Sequence, residues 1–348
     1  MVDLTPNEIR ELRSQNLQMR ERDFAETNQI SEAQLLGAYT GQSVTRIDAH
    51  PDAIMAAAMK LGEVMALTRN PSCVHEKIGV YENYHPGTHA AMILTEDIDL
   101  RIFPSHWVHG FLVEKETDKG VMRSLQVFDA AGDAIHKIFL RDGSDLAQWD
   151  VIKETLKIED QSQEISVEPR KTSERPKSDT SKLEILRKEW ARMTDTHQFM
   201  RLTSKLKMNR LGAYRIVGEP FVRALSTGAV DEMLTAVRDT GTEVMVFTGN
   251  RGCIQIHSGP IKSLTPMGPW QNVMDPNFNL HLRADHVAEV WAVNKPTQRG
   301  DAVSVEAFDK EGVLIFQIFG LGKEGRDNRP AWRGIVDKLT GLDAEAVA

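Results

Sequence analysis

One histidine stands out because it breaks a repeat. His197 lies in Met193-Thr194-Asp195-Thr196-His197-Gln198-Phe199-Met200, and residues 1–49, the matching part of the first half, contain no histidine. An imidazole binds a metal in its neutral form, or moves a proton near neutral pH. Asp195-x-x-Gln198 resembles a capping box with Asp as the cap, which predicts His197 in the first turn of a helix. Unpaired N–H groups and the positive helix-dipole end disfavour imidazolium there, leaving the neutral ring that metal ligation needs. Trp190, Met193 and Met200 supply apolar, polarizable surface nearby. The structural alternative is a packed, hydrogen-bonded histidine beside Phe199 and Met200.

The other candidates carry less chemistry. His85-Pro86-Gly87-Thr88-His89 has the H-x-x-x-H spacing, which binds zinc on a helix, but Pro-Gly between the histidines predicts a loop. His75 stands near this pair, while His106, His109 and His136 fall among strand positions with structural or solvated roles as the default. Cys73 and Cys253 form no CxxC, zinc spacing or disulfide framework, and read as small buried positions. Gly320-Leu321-Gly322-Lys323-Glu324-Gly325 fits G-x-G-x-x-G but is a decoy. Arg326–Pro330 follows it in place of an amphipathic helix, and too little chain remains for a βαβ unit. No G-x-S-x-G, P-loop or HExxH pattern occurs.

The elements that must position these residues come twice. Residues 1–60 read as helices: Pro6 opens one with Ile9, Leu12 and Leu17 on a stripe, Ser31-x-x-Gln34 is a capping box, and Asp52–Met59 is rich in helix formers. From Glu63 short β-prone runs take over: Val64–Thr68, Val74–Ile78, Ala91–Leu94, Leu100–Phe103, Trp107–Glu114, Ser124–Phe128 and Ala134–Phe139. Asp129-Ala130-Ala131-Gly132 joins the last two as a hairpin. Residues 159–182 lose their large apolar side chains and read as a polar linker. Then the pattern restarts. Glu63-Val64-Met65, Thr68, Asn70, Cys73, Gly79, Lys115, Ser124, Phe128-Asp129, Gly132 and Phe139 recur 180 positions later as Glu243-Val244-Met245, Thr248, Asn250, Cys253, Gly259, Lys295, Ser304, Phe308-Asp309, Gly312 and Phe319. Leu36-Gly37-Ala38-Tyr39 recurs as Leu211-Gly212-Ala213-Tyr214 at an offset of 175. The period is far too long for a solenoid. The fold class is therefore α+β, with two homologous repeats, 1–158 and 183–348. Each is a helical segment followed by a large antiparallel β-sheet. Features shared by both copies serve the fold first; features of one copy are freer to serve function. Arg101, opposite His281 in the pairing, and Phe103, opposite Arg283, join His197 on that ground.

A net charge of −8 argues against nucleic-acid binding through a broad basic field. The N-terminal residues lack the basic and apolar regions of a secretory signal, and no apolar run reaches the ~18–20 residues of a membrane helix. The expected compartment is the cytoplasm.

Met193–Phe199, Asn209-Arg210 with Ala213-Tyr214-Arg215, Asp99–Phe103, Asn279–Leu282, Asn294–Thr297 and the paired Phe-Asp-x-x-Gly hairpins resemble the HemS-type family of bacterial haemin-degrading and cytoplasmic haem-trafficking proteins. The resemblance covers essentially the whole chain. It implies a ligand cleft between the repeats holding haem b, on the side of the second. By position it implies that His197 is the axial iron ligand, Arg101 the distal arginine and Phe103 a distal apolar wall. Arg210 and Lys295 would stand near the haem carboxylates, and Gln317 among the polar contacts. Haem asks for that set: one imidazole, an apolar slot and cations for two propionates.

The chain also departs from the pattern. Phe319, Leu321 and Gly322 stand where relatives carry a tyrosine and then Gln and Arg, and Met200 where a second phenylalanine is common. Lys323 is a substitute propionate partner. The expected function is acceptance of imported haem from an inner-membrane importer and delivery to a downstream haem oxygenase or other acceptor. The alternatives are haem opening with O2 and an external reductant, with Arg101 as the distal catalytic group, and a non-haem interaction scaffold. A second haem site at His75 or another first-half histidine is a further possibility.

Overall fold

Why the word Leu-Gly-Ala-Tyr repeats is visible in a computed structural model, which describes residues 4–342. In the first copy a Cβ on Gly37 would lie 2.2 Å from Ile165 Cγ1; in the second, a Cβ on Gly212 would lie 1.9 Å from the Lys177 carbonyl oxygen. Each glycine opens one helix face to a segment of the 159–182 stretch, which therefore runs against both helices. Ile165 is buried, and Gln161 and Gln163 donate to the Arg46 and Thr40 carbonyls. Asn209 in turn accepts from Lys177 N and donates to the Arg175 carbonyl. These polar residues are ordered by backbone hydrogen bonds, which a compositional reading does not weigh.

The chain forms two compact units. The first comprises residues 4–69, 75–171 and 249–255. Its helices are Pro6–Ser14, Glu21–Thr27, Glu32–Gly37, Pro51–Ala58 and Leu146–Leu156. The Ser31–Gln34 capping box forms in both directions, and a matching Thr5–Glu8 box opens the first helix. Leu17 lies beyond that helix and is exposed. Antiparallel strands run in the order Val44–Ile47, His109–Thr117, Gly120–Phe128, Ala134–Ser144, Gly62–Arg69. A smaller ribbon pairs Tyr84–His85, Ala91–Leu94 and Asp99–Ile102. Two expectations need correction here. Residues 1–60 are not all helical, since β-branched Val44, Thr45 and Ile47 form an edge strand on His109–Thr117. The helix Leu146–Leu156, capped by the Asp145 side chain, follows the last strand and buries Trp149, Ile152 and Leu156.

The second unit comprises residues 70–74, 172–248 and 256–342. Its helices Leu183–Ala191, Gln198–Lys205, Arg210–Val217, Ala229–Thr240 and Arg329–Val336 accompany strands in the order Val222–Leu225, Glu289–Lys295, Ala302–Phe308, Leu314–Gly320, Val244–Gly249. Trp270–Asp275 and Phe278–Arg283 form a hairpin. Gly322–Lys323 pairs with Arg326–Asp327 in a small ribbon, so the G-x-G-x-x-G glycines turn a hairpin and cradle nothing. An amphipathic helix does follow, contrary to expectation: Arg329–Val336 buries Trp332, Ile335 and Val336. It starts after the ribbon, so the glycine loop does not open it.

Each unit includes a turn from the other repeat. In the first unit Asn250 Nδ2 donates to the Arg69 and Ile135 carbonyls, while the Gly252 carbonyl accepts from Phe103 N and Trp107 Nε1. In the second, Asn70 Nδ2 donates to the Ile315 carbonyl and the Ser72 carbonyl accepts from Arg283 N. The repeated Asn-x-x-Cys word is a turn in both places, with the Asn Oδ1 accepting from the N–H groups two and three residues on. Cys73 and Cys253 are buried, and burial pushes the Cys253 thiol up to about 12. Among the described residues no helix is long and apolar enough to cross a membrane.

Candidate functional site

The helix Gln198–Lys205 is strongly amphipathic. Phe199, Leu202 and Thr203 face inward, and Phe199 packs edge-on to Trp190 with ring centres 4.8 Å apart. Its polar start differs from the expected cap. His197 is itself the cap residue, one position outside the helix, and Asp195 does not cap the first turn. Gln198 closes on Thr194: its Oε1 accepts from Thr194 N at 2.9 Å and its Nε2 donates to Thr194 Oγ1 at 3.0 Å. Asp195 is thereby left to His197. One carboxylate oxygen, Oδ1, accepts from His197 N at 2.8 Å and from His197 Nδ1 at 2.7 Å. Those two hydrogen bonds hold the Asp195 carboxyl below the usual carboxylate range.

A carboxylate only accepts, so this pairing places the ring proton on Nδ1 and leaves the Nε2 lone pair pointing outward. The imidazole is 94% exposed. A tautomer fixed by a carboxylate is the arrangement that metal-ligating histidines use to orient the ring and raise its basicity. Neutrality was expected from the helix dipole; the tautomer comes from Asp195, two residues away in sequence, whose role was misread as a cap.

Behind Phe199 lies a buried polar cluster. Glu306, on the strand Ala302–Phe308, is completely buried. Its Oε2 accepts from Arg210 Nη1 at 2.8 Å and the Tyr214 hydroxyl at 2.9 Å; its Oε1 accepts from Lys295 Nζ and Ser304 Oγ, each at 2.9 Å. Gln317 stands opposite Glu306 in strand register, and its side chain adds to the groups that lower the Glu306 carboxyl. Burial works against the Glu306 charge, but Lys295 and Arg210 outweigh it and hold its carboxyl well below the ordinary range. Burial pushes Lys295 down to about 8 against the pull of Glu306. Cation and ring also meet: Lys295 Nζ lies 5.0 Å and Arg210 Cζ 5.8 Å from the Phe199 ring centre.

Of the sequence-predicted residues, the second unit thus joins Arg210, Lys295 and Gln317 through Glu306, beneath the helix that His197 caps. The two cations differ in access. The Lys295 side chain is 3% exposed, whereas Arg210 keeps 23%, and its Nη2 reaches only the Met200 thioether at 3.6 Å. Met200 itself is exposed. Arg101 and Phe103 belong to the first unit. Arg101 lies on Asp99–Ile102, ion-paired with Asp99 and opposite Met92; Phe103 is anchored by its N–H to the Gly252 carbonyl. At the departures, Phe319 packs edge-on against Phe247, Leu321 is buried, and Gly322 and Lys323 are exposed on the small ribbon. His85 lies on a two-residue strand and His89 beyond it, with no helix to align them. Among the described residues no group of three His, Cys, Asp or Glu side chains could hold a bare metal ion.

Glu306 was not among the residues singled out from sequence, yet a signal existed. The matching residue of the first repeat is Gln126, and Arg210 matches Leu35. The first copy therefore lacks both charges, and its Lys115 pairs instead with Glu21. By the argument that selected His197, a charge present in one copy only was a candidate.

The family model of the haemin-degrading HemS/ChuX domain matches residues 29–156 and 207–339, once in each repeat. The hemin transport protein HmuS of Yersinia pestis is 35% identical over 328 residues, covering 93% of this chain and 94% of that protein. The hemin transport protein HemS of Yersinia enterocolitica is 36% identical over 326 residues, with the same coverage. Among solved structures, holo-PhuS, a heme-binding protein from Pseudomonas aeruginosa, superposes with a TM-score of 0.92 at 37% identity, covering 97% of this chain and all of that one. ChuS, described as an E. coli heme oxygenase, gives 0.83 at 32% identity over 93% of this chain and 97% of that one.

Proposed function

The chain belongs to the HemS haemin-degrading family, and from that premise we propose that it binds haem through His197 and hands it on. The observation that carries this reading is the His197 ring: nearly fully exposed, its Nδ1 held by Asp195 and its Nε2 presented to solvent. A porphyrin iron needs one such nitrogen. Met200, three residues on, offers exposed apolar surface, and Arg210 the accessible edge of a cation for a propionate. The names of the transport and heme-binding relatives support the ligand class.

A carrier must release what it holds. One ligand on an exposed helix cap is suited to exchange, because an incoming acceptor can reach the iron side of the ring. In this reading the protein acts in the cytoplasm, receiving haem from an inner-membrane importer and passing it to a haem oxygenase or another acceptor. Arg101 is the candidate donor toward the second face of the iron, and Phe103 the apolar wall beside it. Both assignments come from the family resemblance.

The enzyme reading has its own support, the heme oxygenase description of ChuS. It would use O2 and an external reductant, with Arg101 as distal group. Ascorbate added to the haem complex, with catalase present, separates the two: a stable Soret band fits the carrier, steady loss with iron release fits the enzyme. The test of the binding reading is a spectral titration of wild type and His197→Ala. The variant should lose at least tenfold in affinity, about 1.4 kcal/mol. An unchanged spectrum and affinity would remove His197 from the site.

A further inference from the structure

We infer that Gln298 is a positioning residue of the iron site. From the turn 297–300, its backbone N–H holds the Thr194 carbonyl and thereby the orientation of Asp195 and His197. The inference rests on the reading of His197 as the iron ligand and specifies what keeps that ligand in place.

Thr194 is tied at all three of its hydrogen-bonding groups. Its N–H donates to Gln198 Oε1 at 2.9 Å, its hydroxyl accepts from Gln198 Nε2 at 3.0 Å, and its carbonyl accepts from Gln298 N at 2.9 Å. The first two bonds close within the loop. Of the three, only the last reaches the sheet, from the turn that joins Glu289–Lys295 to Ala302–Phe308. It fixes the peptide that leads into Asp195, whose carboxylate holds both the backbone and the ring of His197. An outer partner of this kind sets the direction of a metal-ligating ring without touching the metal.

The turn is itself held. Gly300 N donates to the Thr297 carbonyl at 3.1 Å, while Thr297 Oγ1 donates to the Gly300 carbonyl and accepts from Arg299 N at 3.1 Å. On its other side Arg329 Nη1 donates to the Arg299 carbonyl at 2.8 Å, and the rest of that guanidinium is paired with Asp327. The first repeat builds the same turn at residues 117–120: Thr117 Oγ1 donates to the Gly120 carbonyl and accepts from Lys119 N. The residue 175 positions before Thr194 is Met19, and its carbonyl accepts from the Arg13 guanidinium instead. Both copies thus make the turn, and the copy that carries His197 uses it to grip the ligand loop.

Gln298 is the second residue of the turn, and neither it nor Arg299 has a positive φ. That is the setting of a type I turn, in which proline is favoured at the second position. Gln298→Pro therefore suits the turn while deleting the N–H that reaches Thr194; Gln298→Ala keeps both. The readout is the rate at which the full chain, loaded with haem, releases it to excess apo-globin. Release should quicken roughly three- to tenfold in Gln298→Pro, as loss of one hydrogen bond implies, and stay within about twofold of wild type in Gln298→Ala. In an Asp195→Ala background, Gln298→Pro should change the rate by less than about twofold, because its effect runs through the Asp195–His197 pair. An unchanged rate in Gln298→Pro, an equal gain in Gln298→Ala, or the same gain with and without Asp195 overturns the inference. Should Gln298→Pro fail to fold, Arg329→Met frees the far side of the turn and decides in its place. It must quicken release with Asp195 present and not without it; any other result overturns the inference. If wild type binds no haem, or His197→Ala holds it as wild type does, the haem-binding reading itself fails. If His197→Ala loses haem while Gln298→Pro behaves as wild type, only the positioning role falls.

Discussion

His197 Nδ1 lies 2.7 Å from Asp195 Oδ1, and the same oxygen accepts the His197 backbone N–H at 2.8 Å. One carboxylate oxygen thus fixes the backbone turn and the ring together. Asp195→Ala removes both restraints. Loss of such an outer partner typically costs 10–100-fold in metal affinity. The Asp195–His197 pair is solvent-exposed, so the lower end, about tenfold, is expected. Spectral titration with haem checks this; wild-type affinity would mean that the carboxylate merely shapes the turn.

Arg101→Ala should change the sixth-ligand region of the haem spectrum more than it changes affinity. A guanidinium directed at iron-bound water or oxygen acts there as a fixed donor. The reverse outcome, a strong loss of affinity with an unaltered spectrum, would make Arg101 a carboxylate clamp.

The repeated glycines predict unequal costs. Gly212→Ala drives a methyl to within 1.9–2.7 Å of three Lys177 backbone atoms, while Gly37→Ala meets the Ile165 side chain at 2.2 Å and a backbone atom, the Gln163 carbonyl oxygen, only at 3.2 Å. Overpacking costs about 1–3 kcal/mol, and alanine's better helix propensity returns up to about 1 kcal/mol. Urea midpoints should fall for both variants, and further for Gly212→Ala than for Gly37→Ala.

Acid sensitivity should trace to His136. It is buried, with Nδ1 at 2.8 Å from Thr68 Oγ1 and Nε2 at 2.6 Å from the Tyr81 hydroxyl, and burial lowers its pKa from 6.5 to about 3. The unfolded chain binds this proton below pH 6.5, whereas the folded chain resists until about 3. The stabilisation is complete above 6.5 and drains away as pH falls toward 3, by a few kcal/mol. His136→Phe, which copies the residue Phe316 at the matching position of the second repeat, should be less stable at pH 7. Its Tm should nevertheless fall less than that of wild type between pH 6.5 and 4. Parallel Tm curves would assign the acid response to other groups.

Much of the organisation was readable from residue type and spacing, because it depends on local rules. Capping residues, β-prone runs and turn glycines act over a few positions, and a repeat at fixed offset needs only comparison of the chain with itself. Family membership was legible for the same reason: its words are contiguous. The strand Val44–Ile47 escaped because its partner, His109–Thr117, lies more than sixty residues away. The segment 159–182 looked like free linker because hydrogen bonds to backbone and a missing Cβ hold it, with few apolar side chains beyond the buried Ile165.

The sequence by itself determined that His197 is the asymmetric residue of a duplicated α+β chain, and that Arg210 and Lys295 are the cations to examine in its repeat. Only the tertiary structure decided what surrounds them. The tautomer of His197 depends on where Asp195 points, and the capping pattern placed the cap at Asp195, two positions before the residue that takes it. The unequal access of Arg210 and Lys295 depends on Glu306, brought from another strand to meet both. Charge and hydrogen-bond direction are properties of arrangement in space, and the spacing of residues along the chain does not carry them.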